Sequence, residues 1–86
     1  MKFVDTATRI EQRFSIGREL ESGRYYLSIP VSNRLCDYEE YYEIPKEGHD
    51  AYPDNLSNLV KFAQQCRARR NDHLLLLLPG LDRGVA

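Results

Sequence analysis

Polar and apolar residues alternate from Arg9 onward, with Ile10, Gln12, Phe14 and Ile16 on one side and Arg9, Glu11, Arg13 and Ser15 on the other. A period of two predicts a half-buried β-strand. Residues 1–8 show no clear period and read as a frayed end or a short edge strand. Gly17 to Gly23, which contains Glu19, Glu21 and Ser22, reads as a hairpin connection. A second strand is predicted from Arg24 to Ser32, with Tyr25, Leu27, Ile29 and Val31 on one face and Tyr26 and Ser28 on the other. Pro30 has no N–H for a ladder, so this strand is expected at an edge or with a bulge. After a turn at Asn33-Arg34, a third strand is predicted from Asp37 to Ile44. It places Tyr38, Glu40, Tyr42 and Ile44 on one face and Asp37, Glu39, Tyr41 and Glu43 on the other. Pro45 ends it, and Gly48 loosens the loop that follows.

The period then changes. Leu56, Leu59, Val60, Ala63 and Cys66 fall on one stripe of an α-helix. Asp54 is the expected N-cap, with Pro53 just outside it. Arg67, Arg69 and Arg70 lie in the last turn, where cations favour the negative end of the helix dipole. Leu74–Leu78 is expected either as a buried fourth strand or as a segment packed under the helix, and Pro79-Gly80 stops it. No repeat or linker interrupts the chain. The reading is an α+β fold over residues 1–86 as a single domain: a three- to four-stranded antiparallel sheet with one helix packed on one face.

With 86 residues, such a domain has one modest core. A hydrophobic content of 42% and a charged content of 29% exclude a disordered tail. The longest apolar run, Leu74–Leu78, is far short of the roughly 20 residues that span a bilayer. The first residues lack the apolar core of a signal peptide, and the protein is expected in the cytoplasm. Cys36 and Cys66 cannot make a disulfide framework and are expected as small buried or half-buried apolar residues.

Charge adds what periodicity cannot. Twelve basic against thirteen acidic residues give a net charge of −1, which removes any global case for nucleic-acid binding. The distribution is uneven. Residues 1–36 carry six basic and four acidic side chains, and residues 55–86 carry five and two. Between them, residues 37–54 carry Lys46 alone against Asp37, Glu39, Glu40, Glu43, Glu47, Asp50 and Asp54.

Chemistry-bearing constellations are sparse. His49 and His73 both lie in expected loops at opposite ends of the helix, about 20 Å apart at 1.5 Å per residue, and read as solvated. Cys36, His49, Cys66 and His73 have spacings that match no zinc module, so no metal and no cofactor is expected. Arg67, Arg69 and Arg70 with Arg9 and Arg13 read as dipole complement and solubility rather than a phosphate surface. The tyrosine-rich strand Asp37–Glu43 is different. Strands are depleted in Asp and Glu, and carboxylates at i and i+2 on one face repel each other. Asp37, Glu39, Tyr41 and Glu43 form an acidic face with an amphipathic anchor, suited to a basic protein partner.

The run Gly23-Arg24-Tyr25-Tyr26-Leu27-Ser28-Ile29-Pro30-Val31-Ser32-Asn33, then Asp37 to Ile44, Leu59-Val60-Lys61-Phe62-Ala63 and Leu76-Leu77-Leu78-Pro79-Gly80, resembles small bacterial immunity proteins. These are the antidotes of polymorphic-toxin and contact-dependent growth-inhibition systems. The likeness covers roughly residues 23–84 and includes no catalytic or ligand motif, so no functional residue is carried over. It implies a cytoplasmic, non-enzymatic protein that binds one cognate toxin domain and blocks its active site or a needed surface. The acidic middle suggests that the toxin domain is basic, such as a nuclease, with no nucleic acid or membrane as partner. The alternatives are a homo-oligomeric structural or regulatory module, such as a homodimer, and a small RNA-binding protein or hydrolase using the histidines and arginines.

Overall fold

A computed structural model describes all residues from Met1 to Ala86. Four strands, β1 (Phe3–Arg9), β2 (Phe14–Glu19), β3 (Tyr25–Ser32) and β4 (Asp37–Ile44), pair in chain order as an antiparallel meander. A short helix α1 (Lys46–Asp50), the main helix α2 (Leu56–Arg67) and a 3-10 turn at Asp72–Leu74 follow. The architecture is α+β, an open four-stranded sheet with α2 on one face.

Leu27 lies opposite both Ile16 and Tyr42, so alternation puts Phe14, Ile16, Leu27, Ile29, Val31, Tyr42 and Ile44 on the helix-facing side. Leu59, Ala63 and Cys66 of α2 pack against them. Burying each of the larger aliphatic chains stabilises the fold by about 1.5–3 kcal/mol. Burial also pushes the Cys66 thiol up to about 11. Cys36, by contrast, is exposed. The Asn33 side-chain carbonyl accepts the N–H groups of Leu35 and Cys36 and turns the hairpin tip into solvent.

Local expectations are corrected or resolved at three places. The strand expected from Arg9 to Ile16 is split, because residues 10–13 form the turn between β1 and β2 and Ile10 is exposed. Arg13 takes a positive φ of 59°, and the Arg67 guanidinium of α2 donates to the Gln12 and Arg13 carbonyls at 2.6 Å each. The turn is thus fixed from across the molecule. Of the two readings of residues 1–8, the edge strand is the one found, since β1 lies at the margin of the sheet, and its missing period has a cause. The ladder shifts register between Asp5 and Ala7, so Thr6 is an extra residue and the alternation breaks. The N-cap of α2 is Asn55 rather than Asp54, and its side-chain amide donates to the Gly48 carbonyl instead of capping the helix.

Leu74–Leu78 is not a strand. Leu74 and Leu75 pack at the margin of the core, Leu75 bridges Tyr42, and the Leu76 N–H donates to the Tyr41 carbonyl at 2.9 Å. The chain then leaves the sheet, and Leu77, Leu78 and Leu81 are exposed. It returns at Val85, which bridges Ser32.

Candidate functional site

Asp37, Glu39, Tyr41 and Glu43 all stand on the sheet face opposite α2, as the alternation of β4 requires. Asp37 and Glu39 are exposed, and Tyr41 and Glu43 are half-buried. Two of the three carboxylates have local partners. Asp37 accepts from the Ser32 hydroxyl at 2.6 Å, and Glu43 faces Arg24 at 3.9 Å in an exposed pair of little energetic weight. Glu39 has no cation within ion-pair distance.

The same face carries residues that periodicity did not indicate. The Phe3 ring of β1 stacks on Tyr41 of β4 at 3.7 Å with planes 12° apart. Tyr26 meets both edge-on, at 5.3 Å from Phe3 and 5.0 Å from Tyr41. Contact between the two outermost strands requires a strongly coiled sheet with little bulk between them. Gly17 supplies that room, because a Cβ there would collide with the Val4 carbonyl and the Tyr26 ring. The Tyr26 hydroxyl donates to an Asp5 carboxylate oxygen at 2.6 Å. Burial and the bond to Asp5 together push the phenol of Tyr26 up.

Asp5 and Glu39 therefore share one aromatic-walled patch. Partial desolvation is the main cause that raises the Glu39 carboxyl above its ordinary value. The charge of Asp5 adds to the rise, and the Ser28 hydroxyl offsets part of it. That hydroxyl is itself buried and lies outside hydrogen-bond geometry with any group. An adjoining hollow of about 250 Å³ is lined by Glu39 and Tyr41 on one side and Leu77, Leu78 and Pro79 on the other. Exposed leucines thus border the acidic patch.

On the helix-facing side, Glu40 is the buried acid. Arg83 donates to it through Nε at 2.8 Å and a terminal nitrogen at 3.1 Å, and the Tyr42 hydroxyl donates at 2.7 Å. Burial alone would raise the Glu40 carboxyl, but the Arg83 and Tyr42 donors and the Arg83 charge outweigh it and hold it below its ordinary value. Arg83 also grips Asp72 through two bonds of 2.8 and 2.9 Å. The alternation of β4 already set a carboxylate among apolar neighbours, a sign that some cation must answer it. No spacing in the sequence identifies that cation as Arg83.

The two histidines part company. His73 is exposed. His49 sits on α1 rather than in a solvated loop. Its ring packs against Tyr25 at 4.7 Å, Nε2 is 2.9 Å from the Thr6 hydroxyl, and Nδ1 is 2.8 Å from Asp50. Hydroxyl, imidazole and carboxylate stand in the order of a nucleophilic relay. None of the surface hollows is lined by Thr6 or His49. The arrangement pins α1 to the β1 bulge. Three of the five arginines considered for phosphate binding are likewise engaged: Arg67 at the β1–β2 turn, Arg9 with Gln12 and Tyr52, and Arg69 with the Gly84 carbonyl.

No group of three or more His, Cys, Asp or Glu side chains is placed to hold a metal ion, and no helix is long and apolar enough to cross a membrane. Comparison with protein-family models, with characterised proteins and with solved structures finds no match for this chain.

Proposed function

We propose that this chain is a non-enzymatic, immunity-type binding protein that captures a basic toxin domain, such as a nuclease, on its open sheet face. The observation that carries the reading is the patch of Asp5, Glu39, Tyr41 and Glu43, whose central carboxylate has no internal cation. A fold gains nothing by collecting like charges beside half-buried aromatic rings, whereas an interface uses such anchors and a complementary field to orient and speed capture. Asp37 extends the acidic edge, and Leu77 and Leu78 supply apolar area beside it. The resemblance to immunity proteins supports the choice of partner class.

The test is co-expression with the C-terminal domain encoded immediately upstream of this gene, followed by a sizing column at about 0.15 M salt, where exposed charges interact over only ~8 Å. A stable complex that suppresses the neighbour's toxicity is the expected result. Reversing Glu39 and Glu43 to Lys then weakens the complex and flattens its salt dependence. A free monomer beside an unaffected neighbour sinks the reading.

The exposed apolar segment around Leu77, Leu78 and Leu81 favours a second reading, a homo-oligomeric module in which that segment meets another copy. Sedimentation of the isolated chain separates the two. A dimer that persists on dilution and is lost on Leu78→Ser with Leu81→Ser supports the second.

A further inference from the structure

We infer that the patch bounded by Asp5, Ser28, Glu39 and the Phe3–Tyr41 stack is a seat for one guanidinium group, presented as an arginine side chain of a protein partner. Three features converge there. Asp5 and Glu39 are two carboxylates without a cation in ion-pair range, on strands that are not neighbours in the sheet. Ser28 stands on β3, between their strands, 1% exposed, with a hydroxyl that acts on Glu39 but lies outside hydrogen-bond geometry with it and with every other group. A buried hydroxyl without a partner costs about 1–3 kcal/mol, a loss that the Glu39 carboxylate removes when it is drawn over the hydroxyl. Tyr41 and Phe3 supply an aromatic wall fixed by their own stacking and by Tyr26.

The arrangement selects among cations. A divalent metal such as calcium takes roughly six to eight oxygen ligands, far more than two carboxylates and a hydroxyl. A guanidinium is planar and weakly hydrated, bridges two carboxylates with its fork of donors and lies against aromatic rings, whereas an ammonium carries tighter water and no flat face. Partial desolvation and the neighbouring Asp5 charge already disfavour ionised Glu39, and a cation between the two offsets the Asp5 repulsion and favours the ionised form. Arg9 and Arg13 line an adjoining hollow with Glu39, but neither makes an ion pair with it, so these guanidinium groups of the chain leave the seat open.

The inference rests on the binding-protein reading only in taking the cation from a protein, and the seat is tested without that partner. The full ¹⁵N-labelled chain is titrated with Nα-acetyl-arginine methylamide and, separately, with the lysine analogue at low salt. The expected result is saturable shifts at the amides of Phe3, Asp5, Ser28, Glu39 and Tyr41, with several-fold weaker binding of the lysine compound. Glu39→Gln, whose folding is checked by its own amide spectrum, is expected to lose about tenfold in arginine affinity, the worth of one charge-assisted pair. Absence of saturable shifts at these amides, equal affinity for both compounds, or unchanged affinity in Glu39→Gln overturns the seat. Arginine binding without any co-purifying toxin domain supports the seat and removes only the immunity reading. A toxin complex weakened by Glu43→Lys, formed by a chain that ignores arginine, removes the seat and leaves the acidic face.

Discussion

Arg83 reaches Glu40 across 43 positions of sequence, with its Nε 2.8 Å from one carboxylate oxygen and a terminal nitrogen 3.1 Å from the other. Glu40 is buried in the middle of β4, so this pair anchors a C-terminal segment that also touches the sheet through Leu75, Leu76, Val85 and the Gly84 N–H bonded to the Tyr38 hydroxyl. The segment that carries the exposed leucines beside the acidic patch is held in place from the opposite face.

Removing the cation leaves a buried charge uncompensated. Arg83→Ala is expected to destabilise the fold by about 3–5 kcal/mol, read from the urea midpoint. Adding Glu40→Gln to that variant recovers part of the loss, because the orphaned charge is gone. A midpoint unchanged by Arg83→Ala shows that the pair does not anchor the segment.

Gly17 makes the aromatic cluster possible. Gly17→Ala is expected to cost about 3 kcal/mol, since neither the Val4 carbonyl nor the enclosed Tyr26 ring can retreat cheaply. Gly80→Ala, where an added Cβ meets nothing within 4 Å, is the matched control and stays within about 0.5 kcal/mol of the parent. Equal midpoints for the two variants contradict the close approach at Gly17.

Glu19 closes the turn after β2. Its carboxylate accepts the N–H groups of Lys2, Ser22 and Glu21 at 2.6 to 3.0 Å, and these donors hold it down at about 2. A carboxyl with a depressed folded value stabilises the fold above its unfolded value near 4.5, and the contribution fades as pH falls toward 2. Glu40 and Asp72 are depressed as well and act in the same direction. Stability measured by urea unfolding should therefore fall between about pH 5 and pH 2, and Glu19→Gln should reduce that slope. A slope identical in the variant removes the turn from the account.

Glu39 has the opposite sign. Its folded value is raised, so its contribution is fully present below the unfolded value and is lost as pH rises through the folded one. Glu39→Gln is therefore expected to raise the urea midpoint at pH 7 and to leave it nearly unchanged at pH 4. If the same substitution weakens partner capture, the chain holds a locally unfavourable charge where binding needs it. Lower stability at pH 7 in this variant contradicts that account.

The elements legible in the sequence are those whose pattern is local. Tyr25, Leu27, Ile29 and Val31, then Tyr38, Tyr42 and Ile44, alternate because each strand buries one face, and Leu59, Ala63 and Cys66 recur at helical spacing for the same reason. The placement of Asp37, Glu39, Tyr41 and Glu43 on a common face followed from that alternation alone. β1 was hidden because its bulge at Thr6 breaks the period, and Ile10 misled because a turn residue can be apolar when another element fixes the turn, as Arg67 does here. The Phe3–Tyr41 stack, the Asp5–Glu39 patch, the Arg83–Glu40 pair and the His49 contacts were decided by tertiary structure. Each joins residues far apart in the chain, and the distance between them is set by sheet coiling and close packing rather than by any spacing along the backbone. Periodicity states which side a residue faces, and only the folded sheet decides what it meets there.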